Sequence, residues 1–289
     1  MQVIQKFDPW NSPLCTCPPK FSLNPYTGCS HRCIYCYATY IPNFYHPRPK
    51  KNFIEKIKKD LKKLPENSLI SLSNSSDPYL PEEKTYQLTR KFLQEFKNYN
   101  LRLLIITKSD LVLRDLDILK NLKVAVTFTI TSLNPEIYKK LEPNAPLPEK
   151  RIKAIEKLTQ AGIKVGVRFD PIFPFLNDKE AEKIIKRVKK AGALHIISST
   201  FKPRRDSWQR FKKAFPQIAK KLEKLYFEKG EKIQNSWYLP KKFRKAILLK
   251  VKKICDKENL TFSCCREGFL ELNSAKSCDG SHLITSQLP

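Results

Sequence analysis

The chain has 289 residues, enough to bury a sizeable core as one large α/β domain or two smaller ones. Its hydrophobic content of 41% is ordinary for a globular protein, and no apolar run approaches the ~20 residues of a membrane span. Fifty-five Lys and Arg against 28 Asp and Glu give a formal net charge of +27, an imbalance that lysine-rich bias alone does not explain and that favours a polyanionic partner such as nucleic acid. The opening "MQVIQKFDPW" has no signal-peptide core, so a cytoplasmic location without membrane association is expected. In that reducing compartment nine cysteines point to metal binding or catalysis rather than to a disulfide framework.

In chain order, a first strand near residues 21–24 leads into "NPYTGCSHRCIYCYATY", residues 24–40, which places Cys29, Cys33 and Cys36 at spacings of three and two intervening residues among tyrosines. Residues 52–64 put Ile54, Ile57 and Leu61 on one helical face, and 68–74 reads as a short buried strand. The alternation continues with a helix over 85–96, a strand over 101–107, a short helix over 110–122 and a strand over 123–130. Helices over 135–141 and 150–161, a strand over 163–169, a helix over 178–191 and a strand over 193–199 complete about six β/α units. Such alternation implies a parallel sheet with helices outside it, and six units rather than eight imply a partial barrel. Beyond residue 200 the rhythm stops, and residues 201–289 are expected to form a basic helical, cysteine-containing extension packing on the barrel of residues 1–200.

Three thiolates on the loop after the first strand can hold three irons of a [4Fe–4S] cluster and leave the fourth open to a small ligand. A zinc knuckle completed by His31 or a distant Cys is the alternative. Lys108 directly ends the apolar strand "LLIIT", so its ammonium should project at the site-bearing rim, where a carboxylate is a fitting partner. In the tail, "FKPRRDSWQRF" and "NSWYLPKKFRK" interleave Lys202, Arg204 and Arg205 with Trp208, Phe211, Trp237 and Tyr238, a pattern suited to single strands or flipped bases. An amphipathic helix with a solvated lysine face is the plain alternative. Of the remaining cysteines, Cys255, Cys264, Cys265 and Cys278 lie near the end and Cys15 and Cys17 near the start. A second metal site is expected from the terminal four, completed by Cys15 or Cys17 if the termini meet, as an auxiliary iron–sulfur cluster ahead of zinc. Cys264 and Cys265 are adjacent, so on a strand only one of them faces such a site.

The cysteine spacing after a first strand, followed by about five more β/α units, resembles the radical S-adenosylmethionine (SAM) enzymes. Within that superfamily "NPYTGCSHRCIYCYA", "SSDPYLPEE", "ITKSDLVLRDLDIL", "LEPNAPLPEKRIKAIEKLTQAGIKV" and "DPIFPFLND" resemble the spore photoproduct lyase-like family, over about residues 22–177. The resemblance implies a partial (β/α)6 TIM-type barrel that binds a [4Fe–4S] cluster and SAM, with an electron donor such as ferredoxin or flavodoxin. The open iron would be chelated by the methionine moiety, and reductive cleavage would give a 5′-deoxyadenosyl radical that abstracts hydrogen from substrate. Ser76, Lys108 and Thr129 are implied as SAM binders; beside them, Asp77 follows Ser76 on the same loop and is placed to accept from the methionine amine or ribose, or else starts the turn before Pro78, and Asp170 ends the fifth strand, facing the adenine through its backbone. Tyr35 is implied to pack near adenine, Tyr37 to relay hydrogen or line the substrate pocket, and Tyr79 to belong to the same pocket. The chain departs from photoproduct lyases at Ser75, where they carry a cysteine that returns hydrogen to the product radical. An O–H bond is a poorer hydrogen donor than S–H, which argues against the same repair reaction. The expectation is a monomeric radical enzyme of lyase or modifying type acting on nucleic acid, in DNA repair or base modification. A radical enzyme for a peptide or small molecule, and a non-catalytic iron–sulfur or zinc nucleic-acid-binding protein, are the other classes.

Overall fold

The computed structural model describes residues 2–7 and 12–284. Its strands are β1 Ile4–Lys6, β2 Phe21–Leu23, β3 Tyr26–Thr27, β4 Arg48–Pro49, β5 Leu69–Leu72, β6 Arg102–Thr107, β7 Val124–Thr129, β8 Lys164–Ile172, β9 His195–Thr200, β10 Glu231–Ile233, β11 Ser236–Tyr238 and β12 Thr261–Cys264. Eight of them form one sheet in the order β1-β2-β5-β6-β7-β8-β9-β12. Every neighbouring pair from β2 to β12 is parallel, and β1 is antiparallel to β2. The two edges, β1 and β12, do not pair, so the barrel stays open.

Strand periodicity sorts the side chains. Along β8, Val165, Val167 and Phe169 are fully buried against the outer helices, which sends Gly166, Arg168 and Asp170 to the other face, toward the lumen. Outside, the helix Pro148–Gln160 starts on a proline at its first position and buries Ile152, Ile155 and Leu158. The helix Ala181–Lys190 buries Ile184, Ile185 and Val188 and leaves its lysines to water.

The six expected parallel strands are all present, and the structure adds a seventh. β12 pairs with β9 in register Thr261↔His195 to Cys264↔Ser198, with the helix Lys241–Lys257 as its crossover. "TFSC" is too short and too polar to declare itself as a strand in sequence. Residues 201–264 therefore also contribute to the sheet. Two expected helices are subdivided. The one over 85–96 breaks at Gln87 (φ 52°) into Glu83–Tyr86 and Leu88–Phe96, because the buried Glu83 carboxylate accepts the amides of Thr89 and Arg90 at the start of the second piece. The one over 110–122 is a 3-10 turn, Asp110–Asp115, followed by one turn of α-helix, Leu116–Leu119.

A second apolar cluster sits beside the barrel mouth, where Phe173 and Phe201 meet Trp208 and Phe211 of the helix Arg205–Ala214 and Tyr226 of the helix Pro216–Phe227. The Phe173 and Phe211 rings stack at 5.1 Å. At the other end, Leu283 and Ile284 pack with Leu69, Leu104 and Ala125 and fill the lumen floor. Among the described residues no helix is long and apolar enough to cross a membrane.

Candidate functional site

The antiparallel pair β3–β4 ties Tyr26 to Pro49 and Thr27 to Arg48, closing the loop that carries the three cysteines. Gly28 enters it at φ +92°, and a Cβ there would stand 2.5 Å from the Phe44 carbonyl oxygen, so only glycine fits. The Cys29 amide donates to that same oxygen at 2.7 Å, and the Cys36 amide donates to the Cys33 carbonyl at 3.1 Å. The three thiols interact electrostatically with one another. Burial pushes Cys29 and Cys33 up to about 12 and Cys36 up to about 11, so deprotonation has to be driven by a cation that takes the sulfur.

Neighbouring elements hold the loop by its backbone. The Ile34 amide donates to the Leu141 carbonyl at 3.0 Å, and Asn144 Nδ2 to the Ser30 carbonyl at 3.1 Å. Arg210, on the helix Arg205–Ala214, donates through Nε to the Ile34 carbonyl at 2.9 Å and through Nη2 to the Cys36 carbonyl at 2.8 Å. Behind the cysteines, the Tyr35 hydroxyl donates to Glu142, which pairs with Arg151 at 2.6 Å. Arg151 also donates to the Thr129 carbonyl at 2.9 Å. Burial would raise the Glu142 carboxyl, yet Arg151 and Lys108 hold it below the usual carboxylate range. Sequence reading missed Glu142, Arg151 and Arg210; a buried acid in "LEPNAP" has no local signature, and its partners are assigned only by folding.

The residues expected around SAM fall on the rim formed by the strand ends. Ser76 follows β5 and donates from Oγ to the Tyr26 carbonyl at 3.1 Å. Asp77 accepts the Tyr79 amide at 2.9 Å, the Thr107 hydroxyl at 2.7 Å and the Lys108 amide at 2.7 Å, so it fixes the end of β6. Lys108 places its ammonium 5.7 Å from the Tyr35 ring centroid and in the field of Cys33. Burial alone would lower its pKa, but the neighbouring Cys33 sulfur and Glu142 carboxylate raise it above its usual value. Thr129 closes β7 and is buried. Asp170 accepts Arg168 at 2.7 Å and the Ser199 hydroxyl inside the lumen. Tyr37, at the rim, donates its hydroxyl to the Asn74 carbonyl and so bridges the cysteine loop to the loop after β5.

Several expected residues lie elsewhere. Tyr79 is 1% exposed, packed within the main apolar core. Trp208 is 5% exposed, packed on Phe211, Tyr226 and Phe227, and offers no face for a base. Lys202 turns inward to Glu267 at 2.9 Å and to the Thr200 and Cys265 carbonyls at 3.2 Å each. Arg204 lies over the Tyr37 and Tyr40 rings and donates to the Tyr37 carbonyl at 3.3 Å. With Arg205, Asp206, Gln209, Lys232, Asn235 and Trp237 it lines an open groove of about 520 Å³, in which the one acid, Asp206, is paired with Arg210 at 2.9 Å. Cys255 and Cys264 are buried in the main apolar core, apart from Cys265 and Cys278.

Among the described residues no three thiol, imidazole or carboxylate groups are already gathered into a metal site. The cysteine loop nonetheless fits a [4Fe–4S] cluster in its donor chemistry. Three mutually interacting thiols sit on one loop, with the Lys108 cation in the field of Cys33 and Cys36. His31, the alternative fourth ligand, faces Asp77 at 3.7 Å instead.

A family model described as "Radical SAM superfamily" matches residues 23–188. An uncharacterized protein of Methanocaldococcus jannaschii is 39% identical over 168 residues, covering 56% of this chain and 63% of its own length. One of Acidianus two-tailed virus is 34% identical over 172 residues, covering 53% and 56%. The matched part thus spans somewhat over half the length of these curated relatives. In overall shape the chain is similar to spore photoproduct lyase, with a TM-score of 0.69 at 17% identity over 84% of this chain and 75% of that one; another structure of that enzyme holds AdoMet and dinucleoside spore photoproduct. Together with the cysteine loop and the parallel sheet, the match over residues 23–188 places the chain in the radical SAM superfamily.

Proposed function

We propose that this radical SAM enzyme acts on a nucleic acid, which it binds across the groove beside the cysteine loop. The observation that carries the reading is the position of that groove. Arg204, Arg205 and Lys232 line it together with Trp237, and Arg204 also lies over Tyr37 and Tyr40, so cationic and aromatic groups lead directly to the cluster loop. The net charge of +27 supplies the long-range field for a polyanion. The dinucleoside photoproduct held by spore photoproduct lyase is of the same chemical class.

Cys29, Cys33 and Cys36 would hold the cluster, and Lys108 would hold the SAM carboxylate, with Ser76, Asp77, Thr129 and Asp170 around the rest of the cofactor. When bound, the pair supplies one-electron radical initiation. The chain's own residues orient and enclose. Asp77 positions Lys108 through its backbone amide, Arg210 and the Tyr35–Glu142–Arg151 relay pin the loop, and Tyr37 lies between cluster loop and groove as the candidate to move hydrogen. Ser75 stands where a photoproduct lyase carries its thiol, so base modification, or repair with another hydrogen donor, is favoured over the same lesion chemistry. A monomer using a ferredoxin- or flavodoxin-type donor completes the reading.

The test is binding of a fluorescent single-stranded oligonucleotide across a salt series. Arg205→Gln and Lys232→Gln should each weaken binding and lower the slope of log affinity against log salt by about 0.7 per lost phosphate contact. Unchanged affinity and slope in the double variant would remove the nucleic-acid reading and favour a peptide or small-molecule substrate.

A further inference from the structure

Residues 12–20, which lead into β2, and the segment following β12 come together, joining chain from the two sides of the open sheet, and the Asp279 carbonyl also accepts the Thr127 hydroxyl of β7 at 3.5 Å. Lys20 pairs with Asp279, both 3% exposed or less at the side chain, and the Cys278 thiol donates to Cys17 Sγ at 3.5 Å. Cys15, two residues before Cys17 on the same stretch, lies close enough for the two thiols to shift one another's acidity in opposite directions. Cys265, one residue beyond β12, lies within the electrostatic field of Arg168 and of Cys17. Four thiols from three separate stretches of chain are thus brought into one neighbourhood, with Cys17 among the other three.

We propose that Cys15, Cys17, Cys265 and Cys278 form a second metal site, a tetrathiolate for a zinc ion or an iron–sulfur cluster that staples the two edges of the open barrel. The surroundings separate these thiols from ordinary buried cysteines. Cys255 shows what a packing cysteine looks like in this chain, fully buried within the main apolar core. The seam thiols instead share their space with Lys20, Asp279 and Arg168. Cationic neighbours stabilise thiolate and offset the negative charge that a four-thiolate centre carries. The chain direction fits as well. Cys264 and Cys265 point to opposite faces, one into the core and the other to the seam. The thiols meet pairwise about Cys17 rather than around a common point, so loading requires side-chain rotation about χ1, with the thiol protons released to solvent as metal–sulfur bonds form. The segments being joined have little regular structure, with 12–20 and 273–280 lying outside helices and strands, which is where a metal contributes most to order.

The experiment uses the full chain carrying Cys29→Ala, Cys33→Ala and Cys36→Ala, purified anaerobically and reconstituted in parallel with Zn²⁺ or with Fe²⁺ and sulfide. The expected result is about one zinc per chain, or iron with matching sulfide and thiolate-to-iron absorption; these two arms identify the metal. Adding Cys17→Ser or Cys278→Ser should lower bound metal at least tenfold, while adding Cys255→Ala should leave it unchanged. Circular dichroism establishes that each variant is folded. A folded triple variant that takes up no metal in either arm overturns the proposal, as does one in which Cys17 and Cys278 are recovered as a disulfide with no metal bound. Metal retained in a folded variant lacking both Cys17 and Cys278 thiols also overturns it. Should the Cys17 variants fail to fold, alkylation of the triple variant decides. Protection of Cys15, Cys17, Cys265 and Cys278 that chelator removes supports the site, and equal reactivity with and without chelator overturns it.

Discussion

Arg151 and Glu142 form an ion pair of 2.6 Å with side chains 1% and 0% exposed, and through the Tyr35 hydroxyl this pair reaches the residue next to Cys36. A pair this deep is stable only while complete. Arg151→Met leaves the buried Glu142 without its ion-pair partner, held only by the Tyr35 hydroxyl and the field of Lys108, and is expected to cost ~3–5 kcal/mol in denaturant unfolding. Tyr35→Phe removes one hydrogen bond and should cost only ~1–2 kcal/mol. Arg151→Met combined with Glu142→Gln should recover part of the loss; a double variant as unstable as the sum of its singles would show that the two side chains do not act as a pair.

Cofactor binding should divide by residue. Cys29→Ala, Cys33→Ala or Cys36→Ala should each deplete iron and abolish reductive cleavage of SAM to 5′-deoxyadenosine. Lys108→Met should keep iron but weaken SAM binding by roughly 10- to 100-fold, the worth of a charge-assisted hydrogen bond of ~1.5–3 kcal/mol. Equilibrium dialysis on the reconstituted protein reads this, and unchanged affinity would take Lys108 out of the cofactor site.

Lys202 and Arg205 were equivalent in sequence and should behave oppositely in experiment. Lys202 is tied to Glu267 and two carbonyls inside the fold, so Lys202→Gln should destabilise by ~1–3 kcal/mol and leave the salt dependence of oligonucleotide binding unchanged. A reduced salt slope with full stability would mean that Lys202 reaches the ligand.

His195 supplies a pH dependence. It is buried beside His282, with Nδ1 2.9 Å from Thr261 Oγ1, and burial followed by the His282 charge lowers its pKa from 6.5 to about 3. Below pH 6.5 the unfolded chain takes up a proton that the folded chain refuses, so stability falls with pH until the folded group also protonates near 3. The loss across that window is roughly 3–5 kcal/mol. His195→Gln should flatten that part of the stability curve; a curve of the same steepness in the variant would assign the acid sensitivity to other groups.

The cluster loop, Lys108 and the six-strand rhythm are legible in sequence because each rests on local information: thiol spacing, a strand that ends at one residue, and the alternation of periods 2 and 3.6. The same reasoning reaches the Cys264–Cys265 pair, where adjacency on a strand already implies opposite faces. It fails where the deciding contact is remote. β12 owes its existence to β9, which accepts a four-residue polar segment as a seventh parallel strand. Trp208 and Lys202 look like a nucleic-acid platform until the aromatic cluster and Glu267 draw them inside. Glu142 and Arg151 acquire a role only when "LEPNAP" is laid behind the cysteines, and Cys17 meets Cys278 only when folding brings together chain 261 residues apart. Local chemistry is written in the chain because spacing and periodicity are properties of neighbours. The partners of buried charges and thiols are decided by tertiary structure, since desolvation leaves such groups no choice but to pair with whatever the fold brings alongside.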